Sequence, residues 1–362
     1  MAFAYRIAKL KLFASISTTD AKPQNVIRYW MNKETYIEEN NIYDFREFFH
    51  LEKIINIFSK TENLFKSLYD DYASKYNIKN YYFHFDNNRY CSSSATNIDD
   101  SLNIIKVSCA YPLLMHNKLY ESNLSQNKVI QNLYNSLILD KGFNFNDFFL
   151  ECSIRFTFFH EFRHILQFEN KSNLLSENVS NGFSQERHLY EIDADLFAIR
   201  YVLDFVYDTF QELNKKDEKN FKNLSYIAIG SVITTNLLYF FKDIDDLERV
   251  ENKFIEDKFY TTEKSHPHNL IRNANIVEFY TDNLNANYPL NLDLIDFLKF
   301  PFEIAYLYIK QNLTTKNDLI RIYFDSFYVH LDQINNYSNY MYDLTLQNEK
   351  IMRIRNKYSN IV

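Results

Sequence analysis

His160 and His164 stand four residues apart in the run His160-Glu161-Phe162-Arg163-His164. Positions four apart share one face of an α-helix, so the two imidazoles can be aimed at a single point. Neutral imidazole nitrogen is a good zinc donor, and a catalytic zinc usually takes three protein ligands, leaving a fourth position to water. Glu161 follows the first histidine directly. From there it reaches that water without ligating the metal, which is the place of a general base in metal-assisted hydrolysis. With 9 His in 362 residues, such a run arises by chance in on the order of one sequence in a hundred. The surroundings argue against chance: Ser153, Thr157, His160, Glu161 and His164 form a polar stripe along an otherwise apolar segment. A buried polar stripe needs partners.

Partners are at hand in Tyr190-Glu191-Ile192-Asp193-Ala194-Asp195-Leu196-Phe197-Ala198. Glu191 and Asp195 share a face of a second helix, and Ala194 and Ala198 leave room for another helix to pack close. The natural assignment makes Glu191 the third ligand and Asp195 the acceptor for the free N–H of a ligating histidine, which fixes its tautomer. His188 and Asp193 are the rival ligands. A third run, Ser265-His266-Pro267-His268-Asn269-Leu270-Ile271-Arg272, sets a histidine ahead of a helix start and an arginine six positions later. His266 can then donate a hydrogen bond to the oxyanion formed when water attacks a peptide carbonyl, with Arg272 anchoring the segment through an ion pair. Without a metal, the same residues would be a solvated charged face and a capped helix carrying a surface histidine.

The elements that must position these residues are mostly helical. Apolar spacing predicts a helix over 146–169, with Asp147 favouring its N-terminus, then a break in the polar run 170–182 and a second helix over 184–210. The stretch 223–241 carries no charge, but its Ser225, Ser231, Thr234, Thr235 and Asn236 suit a buried core helix better than a membrane span. A further helix is expected to start at Ser265-His266-Pro267, where Ser is a good cap and Pro tolerates a first turn. Upstream, Lys9-Leu10-Lys11-Leu12 alternates like a strand, 45–69 has helical spacing, 92–100 is polar and turn-like, and 103–111 reads as a short strand ending before Pro112. The expected organisation is an N-terminal region over 1–98, a core over 99–285, and a helical C-terminal region over 286–362.

Composition bounds the rest. Only 3 Gly and 5 Pro accompany 29 Tyr and 33 Phe, which leaves little material for the tight turns of an all-β protein and places most aromatics in a core. A formal charge of −7 without long single-sign runs offers no footprint for a nucleic-acid backbone. Cys91, Cys109 and Cys152 form no close pair and no CxxC, as expected for a reducing cytosol. The first seventeen residues interrupt their apolar positions with Arg6, Lys9 and Lys11, unlike a signal peptide. A cytoplasmic location follows as the expectation.

In order along the chain, HEFRH, EIDAD and SHPHNLIR resemble the gluzincin metallopeptidases, whose pattern is HExxH, a downstream ExxAD and, in several branches, HPxxxxR. The resemblance covers roughly residues 100–285. It implies an α+β, mainly helical zincin-like fold with a small β-sheet and one zinc per chain held by His160, His164 and Glu191. Glu161 would then be the base, Asp195 and Arg272 the residues behind the ligands, and His266 the oxyanion stabiliser. Within the group the chain looks most like the Lit-type phage-exclusion peptidases, which cleave a translation elongation factor during phage infection, so a cytosolic protein substrate is implied. Two other outcomes are a membrane-associated gluzincin anchored through 223–241, and a non-catalytic interaction or toxin protein that keeps the scaffold.

Overall fold

The computed structural model describes residues 42–98, 102–121, 124–168, 182–244, 247–256, 258–288, 290–311 and 318–359. The strand expected near Lys9 and most of the polar run 170–182 lie outside them. After a short helical turn at Phe45–Phe48 come α1 (Glu52–Lys75), β1 (Tyr81–Asp86), β2 (Ser93–Ile98), β3 (Leu102–Ser108), α2 (Lys128–Ile138), α3 (Phe145–Phe168) and α4 (Gln185–Glu212). They are followed by α5 (Glu218–Phe241), α6 (Leu247–Glu256), α7 (Asn269–Asn287), α8 (Leu294–Lys310), α9 (Leu319–Val329), α10 (Leu331–Gln347) and α11 (Glu349–Lys357). The class is the expected one, mostly helical with one small sheet.

That sheet has the order β1-β3-β2, with β1 parallel to β3 and β2 antiparallel to it. Leu102, Ile104, Ile105 and Val107 of β3 are all buried, as suits a central strand covered on both faces. Its register sets Tyr81 opposite Asn103 and Ser93 opposite Val107, so the sheet spans position 98. The segment expected to be turn-like is in fact strand β2. Its Ser, Ala, Thr and Asn side chains show no apolar face, but pairing with β3 satisfies one edge of its backbone, and every one of its residues is half-buried. Among the described residues no other strand pairs with β2, and it lies against α3.

Two long helices form the centre, α3 packed along α4, with α5 across both. Ser184 caps α4 by accepting from the backbone N–H of Arg187, and Asp217 does the same for α5 from Asn220; such caps satisfy donors that a helix start leaves orphaned. Aromatic contacts tie in α1: its Tyr72 meets Phe159 and Tyr201 edge-on at 4.6 and 5.1 Å, and Tyr76, just past its end, shares a hydroxyl hydrogen bond of 2.6 Å with Tyr201. Ala194 and Ala198 are fully buried on α4. Cys91, Cys109 and Cys152 are free and buried.

The helix that carries the uncharged stretch, α5, is a core element. Among the described residues it alone is long and apolar enough to cross a membrane, and 83% of its most apolar window is buried inside the protein. Two of its buried polar side chains reach neighbouring helices: Ser231 Oγ donates to the Phe149 carbonyl at 2.5 Å and Asn236 Nδ2 to Asn273 Oδ1 at 2.9 Å. Gly230 allows α8 to approach closely, because a Cβ there would lie 2.9 Å from both Cβ and Cγ2 of Ile304. Overpacking at Gly230→Ala should cost about 1–3 kcal/mol against a gain of about 1 kcal/mol in helix propensity, a net destabilisation of up to about 2 kcal/mol. Thermal unfolding checks this. A melting temperature at or above the parent's would mean that Ile304 yields freely.

Candidate metal centre

The polar stripe of α3 divides in two. Ser153 shares hydrogen bonds of 2.6 Å with Tyr111 and Thr235, and Thr157 meets Tyr239 at 3.0 Å, so these two are satisfied within the core. One turn further on, the stripe opens on a cavity of about 420 Å³, whose lining includes His160, Glu161, His164, Glu191, His266 and Arg272.

His160, His164 and Glu191 converge there, with one donor atom of each within 4.8 Å of the others. The two Nε2 atoms lie 3.1 Å apart, and each stands 3.5 Å from an oxygen of Glu191. Two donors about 2.1 Å from one ion at a tetrahedral angle are separated by about 3.4 Å. The observed spacings lie near that edge, with His160 facing Oε2 of Glu191 and His164 facing Oε1, and the set of two imidazoles and one carboxylate suits a divalent zinc. The three side chains are only 10%, 12% and 13% exposed, so an ion here would be largely withdrawn from solvent.

The atoms not aimed at the centre face other groups. Nδ1 of His160 is turned to Asp195 Oδ1 at 2.9 Å. Asp195 in turn accepts from Arg272 at both oxygens, at 2.8 and 2.6 Å. Arg272 thus anchors Asp195 primarily and stands 3.8 Å from Glu191. Nδ1 of His164 meets Gln167 Oε1 at 2.7 Å, a partner that sequence reading missed although its i+3 spacing on the same helix was available.

Electrostatics favour a cation. Burial works against a charged His160, but the adjacent carboxylates of Asp195 and Glu191 push its pKa up to about 10. At His164 burial prevails and lowers the pKa. Burial also opposes ionised Glu191, but His160, His266 and His164 hold it well below the usual carboxylate range. An ion that takes two neutral imidazoles must displace the proton on His160, so metal uptake releases a proton.

Glu161 is buried and separate from the three converging donors, and Ser93 Oγ of β2 donates to its Oε1 at 2.6 Å. No sequence signal marked Ser93. His266 reaches the mouth of the cavity with 56% of its side chain exposed, its Nε2 3.6 Å from Glu191 Oε1 and its Nδ1 3.0 Å from Ser265 Oγ. The helix behind it starts later than expected: α7 begins at Asn269, and His268 rather than Ser265 is its cap, accepting from the Leu270 N–H. Ser265-His266-Pro267 precedes the helix and is free to line the cavity.

The rival ligands point elsewhere. His188 is engaged by the Tyr337 hydroxyl at 2.7 Å and the Lys264 carbonyl at 2.9 Å, so it supports the segment leading to His266. Asp193 accepts from Arg163 at 2.7 Å and from Arg355 at 2.9 Å. No family model, curated protein or solved structure matches the chain.

Proposed function

We propose that this protein is a zinc-dependent metallopeptidase of the gluzincin kind, with a zincin-like fold and a cytosolic protein as substrate. The observation that carries the reading is Glu161: a buried carboxylate at the same cavity as three converging donors, held by Ser93 and not one of the three. A structural metal site is closed by its ligands and has no use for such a group. Zinc held by His160, His164 and Glu191 would supply a Lewis acid and make water acidic near neutral pH.

Glu161 then accepts the proton of the attacking water and passes it to the leaving amine nitrogen. Ser93 keeps Oε1 in place while the carboxylate turns from base to acid. His266 donates from the cavity mouth to the oxyanion that forms at the peptide carbonyl. Asp195 and Arg272 hold His160. Ser92, Ser93, Ser94 and Ala95 line the cavity beside Glu161, so the outer edge of β2 can take an extended peptide by strand addition. Arg187, Lys242, Lys253 and Lys264 also line it, while Glu161 and Glu191 are its only carboxylates among the described residues. That balance favours an acidic segment of substrate.

Burial of α5 in the core supports this cytosolic reading over a membrane anchor. The position of the HEFRH motif near the middle of the chain and the cytosolic reading, by which the chain looks most like the Lit-type peptidases, support an abundant host protein such as a translation factor as target and phage exclusion as role. The test is proteolysis itself. Zinc-loaded protein in a bacterial lysate should create new protein N-termini, silenced by a chelator and restored by added zinc. Full zinc occupancy with no cleavage in any lysate or peptide library would instead mark a scaffold.

A further inference from the structure

Gln167 is fully buried on α3 and has three partners. Its Oε1 lies 2.7 Å from Nδ1 of His164, while its Nε2 donates to Asp193 Oδ2 at 3.1 Å and to the Tyr190 carbonyl at 3.2 Å. A carboxylate and a peptide carbonyl only accept, so the amide nitrogen must face them and the amide oxygen must face His164. That oxygen also only accepts. The imidazole proton is therefore placed on Nδ1, which leaves the lone pair of Nε2 pointing to His160 and Glu191. Asp193 can serve as the fixed end because Arg163 Nε reaches its Oδ2 at 2.7 Å and Arg355 reaches its Oδ1 at 2.9 Å. Arg355 comes from α11, a helix that packs against α3 but supplies nothing to the cavity lining.

We propose that Arg355, Asp193 and Gln167 form a positioning chain that sets the tautomer and ring orientation of His164, making metal affinity depend on the C-terminal helix. The inference rests on the metal-site reading and adds residues that touch neither metal nor substrate. The chain also differs in kind from that behind His160, where a carboxylate adds negative charge next to the imidazole. Here a neutral amide orients the ring and the charge is kept one residue further away, balanced by two guanidinium groups. Partners of this type, one step behind a ligand, typically change metal affinity 10–100-fold when removed.

The test is competition titration of zinc and cobalt(II) against a chromophoric chelator, using the full chain. Gln167→Met, of similar length but without polar atoms, should weaken both metals by about 10–100-fold. Arg355→Met should weaken them several-fold and Arg355→Lys should recover part of the loss, an order that general loosening of the fold would not reproduce. Nitrogen-15 spectra of the histidines in the zinc-loaded protein should show His164 protonated at Nδ1, and that signal should disappear or broaden in Gln167→Met. Should Gln167→Met fail to fold, the two Arg355 variants decide, since Arg163 still pairs with Asp193 in both. Parent-like affinity in Gln167→Met, or in Arg355→Met, while the parent binds zinc would overturn the chain and leave the metal site standing. A parent that takes up neither metal would remove both.

Discussion

Alanine at His160 or His164 is expected to abolish stoichiometric zinc binding, leaving purified protein with well under one zinc per chain by elemental analysis. Complete zinc sites bind with about 10–16 kcal/mol, so each of four ligands contributes about 3 kcal/mol, which is on the order of a hundredfold in affinity. Among the described residues, the group of donors that could hold an ion consists of His160, His164 and Glu191, so the loss of either histidine leaves two of three. Glu191→Gln should lose a comparable amount, because an amide oxygen is a poor replacement for a carboxylate. Asp193→Asn should lose far less, several-fold at most, since Asp193 faces Arg163, Arg355 and Gln167 rather than the centre and acts on His164 only through Gln167. His188→Ala should lower the melting temperature by removing the contacts to Tyr337 and Lys264 while keeping one zinc per chain. Parent protein free of transition metal after chelator-free purification, and unable to take up zinc afterwards, would end the gluzincin reading. A larger loss in Asp193→Asn or His188→Ala than in Glu191→Gln would show that the third ligand is misassigned.

The parts of this arrangement legible in the sequence are those governed by short-range periodicity. His160, Glu161 and His164 fall within one turn of a helix, and Glu191 and Asp195 within one turn of the next, so residue type and helical spacing were enough to group them. The second helix was placed within two residues at its C-terminal end, from 184–210 to Gln185–Glu212. Strand β2 escaped because its side chains are polar. Its identity as a strand comes from pairing with β3, which no local pattern reports. Ser93 escaped with it. At the start of α7 two sound local signals, Ser265 as cap and Pro267 as first-turn residue, lost to tertiary context: His188 holds the Lys264 carbonyl, and His268, buried against Phe240, Phe259 and Tyr260, takes over the cap. Arg355 lies 162 positions from Asp193, so its role depends wholly on how the last helix packs.

Enzyme and scaffold part company at Glu161. Glu161→Gln keeps the shape of the side chain and an amide oxygen able to accept from Ser93, so the 2.6 Å hydrogen bond to β2 and the local packing should persist. The three donors that converge on the centre are untouched. Zinc content and melting temperature should therefore match the parent, while an amide has no basic oxygen with which to take a proton from water. General base catalysis contributes typically 10²–10⁴-fold, and peptide hydrolysis also needs the same group to return the proton to the amine. Cleavage should accordingly fall by about three orders of magnitude or more, to background in a lysate assay. In a bacterial host harmed by the parent, or one in which the parent shortens an abundant protein, the Glu161→Gln protein should be harmless and the target should stay intact. An interaction protein would behave in the opposite way, because binding a partner through this surface requires no proton acceptor. Undiminished toxicity or cleavage at full zinc occupancy would mean that Glu161 does not carry the proton, and the peptidase reading would fail at the step on which it depends.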